Sequence, residues 1–489
     1  MAESVRFTIS HRPFLGAPPG RRGPAIKQLP VSTPHRSGSA GGRSSTRGIV
    51  ILTASVAALG GLLFGYDTSV ISGAMLFLRT DFHLSDVQLE FAVGIALAGA
   101  LVGSALAGYS TDRWGRRTVL LATGVGFGLF SVLSGLAFGL VSFSLARFFV
   151  GACIGVASLV TPLYLAEMSP AKIRGALVSL NQLAITVGIV VAYFVDFALA
   201  AGRDWRWMFM TAVFPALALI GGMFVLPESP RWLARKGFRE RALQGFRRLG
   251  RGDEAETELS EVELALQKEQ EGFRALFQPG FRVAVLVGVG LAIFQQITGI
   301  NTIIYYSPAI LRMSGYPSAK AAILAAAVIG VANVLVTIVS ISLIDRLGRR
   351  FLLLLGTAGM AVALALIGIA FHQHYAGTVI FYEMIAYIVF FGIGLGPVVW
   401  LLISEIYPTK IRGKAMSLAT LSVWGSNWLV AGTFLSLIRL SGPAGTFWIF
   451  SFVCSLAFGF CWAWVPETKG KTLEAIERHW RRFAQEDSL

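Results

Sequence analysis

Twelve long apolar runs dominate the sequence and decide what it can become. They lie at roughly 48–76, 89–110, 118–139, 141–166, 176–200, 206–226, 281–312, 319–344, 351–371, 378–403, 415–438 and 446–465. Each is about 20 residues or more, enough for a helix to cross about 30 Å of hydrocarbon. Only helices and closed barrels satisfy their backbone polar groups there, and runs of this length belong to helices. Charged residues make up 14% of the chain, against about 25% in soluble domains. The class that fits is an all-α, multi-pass membrane protein.

The net charge of +15 would suit a nucleic-acid binder, but its distribution points to topology instead. Successive loops fall on alternate faces of the bilayer. One set, together with both termini, holds 35 of the 42 Lys and Arg residues. The other holds Arg79, Arg203, Arg206, Arg312, Lys320 and Arg439, and Arg147 alone lies inside a span away from its ends. Basic loops face the cytoplasm, so both termini are expected there, with the protein in the cell (inner) membrane and no nucleic-acid partner. Cys153, Cys454 and Cys461 all sit in spans, where they read as inert packing rather than a disulfide. There is no catalytic triad, phosphate loop or metal-ligand spacing. The chain is therefore read as neither an enzyme nor a holder of a cofactor or metal.

The spans divide six and six. Residues 1–47 read as a disordered cytoplasmic tail, although an Arg-rich leader with one acid, Glu3, also resembles a transit peptide. Residues 48–226 form one six-helix bundle, 227–280 a cytoplasmic helical linker, 281–466 a second bundle, and 467–489 a cytoplasmic tail. Short motifs recur between the halves. STDRWGRR (110–117) matches LIDRLGRR (343–350), AEMSPAKIRG (166–175) matches SEIYPTKIRG (404–413), and PESPR (227–231) is echoed by PETKG (466–470). The offsets are 345 − 112 = 233, 405 − 167 = 238 and 466 − 227 = 239. Near-equal offsets indicate a parallel repeat with a substrate site between the halves at mid-membrane.

The repeated motifs carry a charged set twice: Asp112, Arg116, Arg117, Glu167 and Arg174, then Asp345, Arg349, Arg350, Glu405 and Arg412. Topology accounts for the arginines but not for the acids beside them. The pattern reads as a cytoplasmic gate, whose pairs hold when the cavity faces outward and part when it faces inward.

Eight motifs in order, GGLLFGYDTSVISGA, GYSTDRWGRR, RFFVGACIGVASLVTPLYLAEMSPAKIRG, PESPRWL, QQITGINTIIYYSP, DRLGRR, GPVVWLLISEIYPTKIRG and PETKG, resemble the sugar porter family of the major facilitator superfamily, in particular its bacterial galactose, arabinose and xylose–proton symporters. The likeness runs from about residue 50 to 472. It implies twelve transmembrane helices in two six-helix bundles, with a monosaccharide, protons and the lipid bilayer as partners and the monomer as the functional unit. It also implies a site of neutral amides, which both donate to and accept from sugar hydroxyls: Gln182, Gln295, Gln296, Asn301, Asn333 and Asn427, walled by Phe64, Tyr305, Trp400 and Trp424. Gly299 and Pro308 are expected to break span seven. Ile189 resembles hexose carriers and points to galactose or glucose; Val423 departs from relatives that carry an amide there.

Asp67 interrupts a run, residues 48–66, that carries no charge. An ionised carboxylate at mid-membrane costs about 2.5–3.5 kcal/mol on insertion scales. Arg147, with Gly151 and Gly155 at i+4 and i+8 to allow tight packing, is its expected partner. The resemblance adds that proton symporters carry Asp here and passive carriers an amide, so Asp67 and Arg147 are the candidate proton-coupling pair. The function implied is proton–hexose symport by alternating access. A passive uniporter, or a symporter for a pentose or inositol, is the alternative.

Overall fold

A computed structural model describes residues 40–169, 174–251, 254–268, 273–408, 411–471, 476 and 480. The expected tails therefore lie mostly outside the described residues, as do the side chains of Arg174 and Asp345.

The first half contains α1 (Ala40–Asp81), α2 (Asp86–Trp114), α3 (Arg116–Gly135), α4 (Leu140–Met168), α5 (Arg174–Leu199), α6 (Trp205–Met210) and α7 (Val213–Val225). Three short helices follow, α8 (Pro230–Arg235), α9 (Arg239–Phe246) and α10 (Ala255–Lys268). Ala242, Phe246, Ala255 and Leu259 give α9 and α10 a small core of their own. The second half contains α11 (Pro279–Ile297), α12 (Ile300–Met313), α13 (Ala319–Leu347), α14 (Arg349–His372), α15 (Gly377–Ile393), α16 (Leu395–Ile406), α17 (Arg412–Ala431) and α18 (Phe434–Trp464).

Eleven helices among the described residues are long and apolar enough to cross a membrane. The twelfth crossing is α17 continued by the first turns of α18, up to a kink at Gly442 (φ 70°). It is the most polar of the crossings, carrying Ser417, Ser422, Ser426 and Asn427. The architecture is two six-helix bundles, and the protein is a multi-pass membrane protein.

Sequence chemistry sets the boundaries. Ser85 and Gln88 form a reciprocal cap at the start of α2, satisfying N–H groups that have no helical partner. Gly115 and Gly348, the glycines of the two DRxGRR motifs, take φ of 91° and 90°, a region open to glycine at little cost. Each ends one helix and starts the next. Gly151 and Gly155 lie on the carbonyls of Ala96 and Ala100; a Cβ would fall 1.8 and 2.0 Å from those oxygens. This close approach of α4 to α2 fixes the depth of Arg147, one turn before Gly151.

Among the described residues four spans are discontinuous. Span six breaks between α6 and α7, span seven at Thr298–Gly299, span ten at Gly394 and span eleven at Gly432–Thr433. Pro308 does not break span seven, contrary to expectation: it lies inside α12. Only Gly299, left-handed at φ 96°, interrupts the helix. Breaks expose backbone groups that lipid cannot satisfy, and side chains supply the partners. Tyr387 donates to the Thr298 carbonyl at 3.0 Å, Gln295 to Leu395 and Gly396 at 2.9 and 3.2 Å, and Tyr306 to Ala431 at 2.8 Å.

Candidate functional site

Asp67 on α1 and Arg147 on α4 meet as expected. Both guanidinium ends donate to the carboxylate, Nη1 to Oδ1 and Nη2 to Oδ2, the latter at 2.9 Å. They are 3% and 2% exposed, so neither charge is shared with water. The guanidinium also stands 5.3 Å from the centroid of the Phe209 ring. A bidentate pair in a dry site offsets much of its desolvation, but removing one partner leaves the other uncompensated, at about 3–5 kcal/mol. The carboxylate is thus bound to its arginine on both oxygens.

Asp67 and Arg147 line a cavity with Phe64, Thr68, Tyr305 and Trp424. It contains about 20 Å³, room for one water. The rings of Phe64 and Trp424, one from each half, stand 5.4 Å apart and close it. Asn427 donates to the Tyr305 hydroxyl at 3.1 Å, and its own Oδ1 is buried without a partner. The charge pair and the aromatic walls therefore share one space, and Asn427 reaches it through the Tyr305 hydroxyl.

The other amides divide. Gln296 donates to Gln295 Oε1 at 3.2 Å and accepts from Asn301. Gln295 has both N–H groups on the span-ten break, so its amide holds backbone rather than facing open space. Asn333 lines a second small cavity with Tyr193, Ile304 and Ser307. Gln182 is half-buried on α5, and Trp400 is 37% exposed on α16. Neither borders the first cavity.

The charged motifs assemble within each half. Arg116 pairs with Glu167 at 2.9 Å, both 7% exposed, and Asp112 with Arg235 at 2.6 Å. Arg349 pairs with Glu405 at 3.1 Å. Arg117 donates to the Met223 and Phe224 carbonyls, Arg350 to Trp462, and Arg412 to Tyr407. Each of these ion pairs lies on one side of the repeat. Besides the Phe64–Trp424 contact, the halves are joined toward the opposite face: Tyr193 donates to the Ile304 carbonyl at 2.6 Å, and Lys320 sits 4.9 Å from the Phe197 ring centroid.

The sequence profile described as "Sugar (and other) transporter" matches residues 53–480. The chain belongs to the sugar (and other) transporter family. It is 37% identical over 448 residues to the arabinose-proton symporter of Bacillus subtilis (strain 168), covering 90% of this chain and 96% of the relative. It is 38% identical over 445 residues to the galactose-proton symporter of Escherichia coli (strain K12), covering 89% and 95%. Among solved structures, the inward open conformation of the xylose transporter XylE from E. coli matches with a TM-score of 0.77 at 35% identity, covering 88% of this chain and all of that one.

Sequence reasoning about this transporter missed two acids at the basic loops. Glu228 of PESPR accepts from the N–H groups of Arg116 and Arg117 at 2.9 and 3.1 Å. Glu467 of PETKG accepts from Arg349 and Arg350, both at 3.0 Å. Each caps the helix that starts after a DRxGRR glycine. The PESPR–PETKG echo at offset 239 is the sequence signal that marks these acids. Burial pushes the Glu228 carboxyl up despite these N–H groups. Burial acts on Glu467 as well, but N–H groups of Lys469, Arg349, Arg350 and Thr468 together outweigh it and hold the carboxyl below its ordinary value. Asp196 and Glu90 are also buried carboxylates within spans, legible by the same intrusion of charge that marked Asp67.

Proposed function

We propose that this transporter is a proton-coupled monosaccharide symporter that works by alternating access in the cell (inner) membrane, with both termini cytoplasmic. One observation carries the reading: the buried Asp67–Arg147 pair borders the same cavity as Phe64, Tyr305 and Trp424. Protonation of Asp67 would release Arg147, so proton occupancy and the shape of the sugar cavity are linked. The proton-symporter relatives for arabinose and galactose support this reading. The amides Gln182, Gln296, Asn301, Asn333 and Asn427 would meet sugar hydroxyls as the cavity expands, with Trp400 joining the wall and Gln295 supporting them. Asp112, Arg116, Arg117, Glu167 and Arg174, with Asp345, Arg349, Arg350, Glu405 and Arg412, would form the cytoplasmic gate.

A hexose such as galactose or glucose is the substrate we favour, on the apolar Ile189 and the galactose relative. A pentose stands beside it, because relatives named for arabinose and xylose match equally well. Sugar added to energised, unbuffered cells should alkalinise the medium; uptake without alkalinisation would make the protein a uniporter. Competition of labelled glucose uptake by a panel of hexoses and pentoses separates the two sugar classes.

A further inference from the structure

Glu90 on α2 is 3% exposed, and its partner lies in the other half. Its carboxylate accepts from the backbone N–H and the hydroxyl of Ser436, both at 2.6 Å. Ser436 is the third residue of α18, immediately past the break in span eleven. The first N–H groups of a helix have no partner of their own, and in a membrane they must find one. Span eleven takes its acceptor from the opposite bundle. The negative charge also suits the positive end of the helix.

The register is specific. Glu90 and Gly94, spaced i and i+4 on α2, face Ser436 and Gly432, themselves four apart; a Cβ on Gly94 would lie 3.4 Å from the Gly432 Cα. The C-terminal half holds its side of this corner rigid. Tyr306 donates to the Ala431 carbonyl at 2.8 Å, and its ring packs 4.8 Å from that of Phe434. This joint is on the face away from the basic loops, where Tyr193–Ile304 and Lys320–Phe197 also connect the halves.

We propose that Glu90 is a positioning residue for the transport cycle: lent by one bundle to cap the broken span of the other, it clamps the non-basic face shut. Opening that face separates the carboxylate from two donors at once, so clamp and opening are mutually exclusive. The inference rests on the alternating-access reading above.

Hydrogen exchange on the full-length protein in lipid nanodiscs tests it. Glu90→Ala should speed exchange across the whole non-basic face, in 432–441 and equally in the distant 319–325 segment, by about 5- to 150-fold, the usual range of coupling between sites. Exchange on the basic face should slow in compensation. Glu90→Gln, which keeps one acceptor, should fall between Ala and the parent, and Ser436→Ala should shift both segments in the same direction more weakly. If Glu90→Ala does not fold, Glu90→Gln and Ser436→Ala decide. Faster exchange confined to 432–441 would reduce Glu90 to a local helix cap and overturn the proposal. Arg116→Ala serves as the control on the underlying reading. If it moves exchange between the faces while the Glu90 variants do not, the clamp alone fails; if no variant on either face does so, alternating access fails.

Discussion

At mid-membrane the two halves have the same scaffold and opposite chemistry. The N-terminal half buries an ion pair, Asp67 with Arg147. The C-terminal half buries neutral amides, Gln295, Gln296 and Asn427, with Asn301 half-buried beside them. An ion pair can change its charge with one proton; an amide network cannot, but it can both donate and accept. The proposed function puts the proton chemistry in the N-terminal half, while the hydroxyl chemistry draws most of its amides from the C-terminal half and Gln182 from α5. Under the proposed function, each half then fails in its own way when altered.

The largest effect should come from the charged half. Asp67→Asn is nearly isosteric but holds no exchangeable proton. Sugar binding and counterflow exchange of labelled for unlabelled sugar should survive, while uphill accumulation should vanish. One pH unit corresponds to about 1.4 kcal/mol, or tenfold in concentration, and membrane potential adds about 2.3 kcal/mol per 100 mV. Energised vesicles with the parent should thus exceed tenfold accumulation, and those with the mutant should only equilibrate. Full accumulation by Asp67→Asn would erase the division between the halves.

The twin gates sharpen the comparison next. Arg116 and Glu167 are more deeply buried than Arg349 and Glu405, at 7%/7% against 11%/23% side-chain exposure. Arg116→Ala strands a buried carboxylate and should cost about 3–5 kcal/mol. Arg349→Ala should cost about 1–3 kcal/mol, since Thr468 still donates to Glu405 at 2.5 Å. Both should bias the protein toward opening on the basic face with the sugar site intact. Melting curves and thiol accessibility read the two consequences, and equal destabilisation would show the burial difference to be immaterial.

The amide half should respond in affinity alone. Gln296→Ala leaves Asn301 and a sugar hydroxyl unpaired and should weaken binding by about 1–3 kcal/mol, with the proton-to-sugar ratio unchanged. Calorimetric binding and flux stoichiometry measure the two. A changed stoichiometry would mean that the halves do not divide the work.

The smallest effect lies in the caps. Glu467 is held below its ordinary value, 4.5, so its contribution to stability is present above that value and fades as pH falls through the lowered one. Glu228 is raised, so its contribution is present below 4.5 and fades as pH rises through the raised value. Melting temperature against pH should therefore lose its acid-side fall in Glu467→Gln and its fall above 4.5 in Glu228→Gln. Parallel profiles for the two variants would contradict the difference.

Much of this was legible in the chain itself, because span length, loop charge and motif recurrence are properties of single segments. A membrane amplifies them: each span must satisfy its own backbone, and each intramembrane charge must find a partner. Asp67 and Arg147 could be matched because each was conspicuous in its span. Where the signal was weaker the reading slipped. Pro308 looked like a helix breaker, yet proline in a membrane helix is tolerated when neighbours absorb the lost bond, and only Gly299 interrupts span seven.

Segment content, taken alone, determined the helical class, the two-fold repeat and the charged residues that had to be paired. Beyond the Asp67–Arg147 pair, tertiary structure decided which groups meet across long separations. Glu228 reaches back 112 residues to Arg116, and Glu90 reaches forward 346 to Ser436. The reason is geometric. Helical periodicity assigns faces only while a helix is continuous, and spans seven, ten and eleven are broken. Past each break the phase is reset, so the direction of a side chain, and hence its partner, is settled by how the bundles pack.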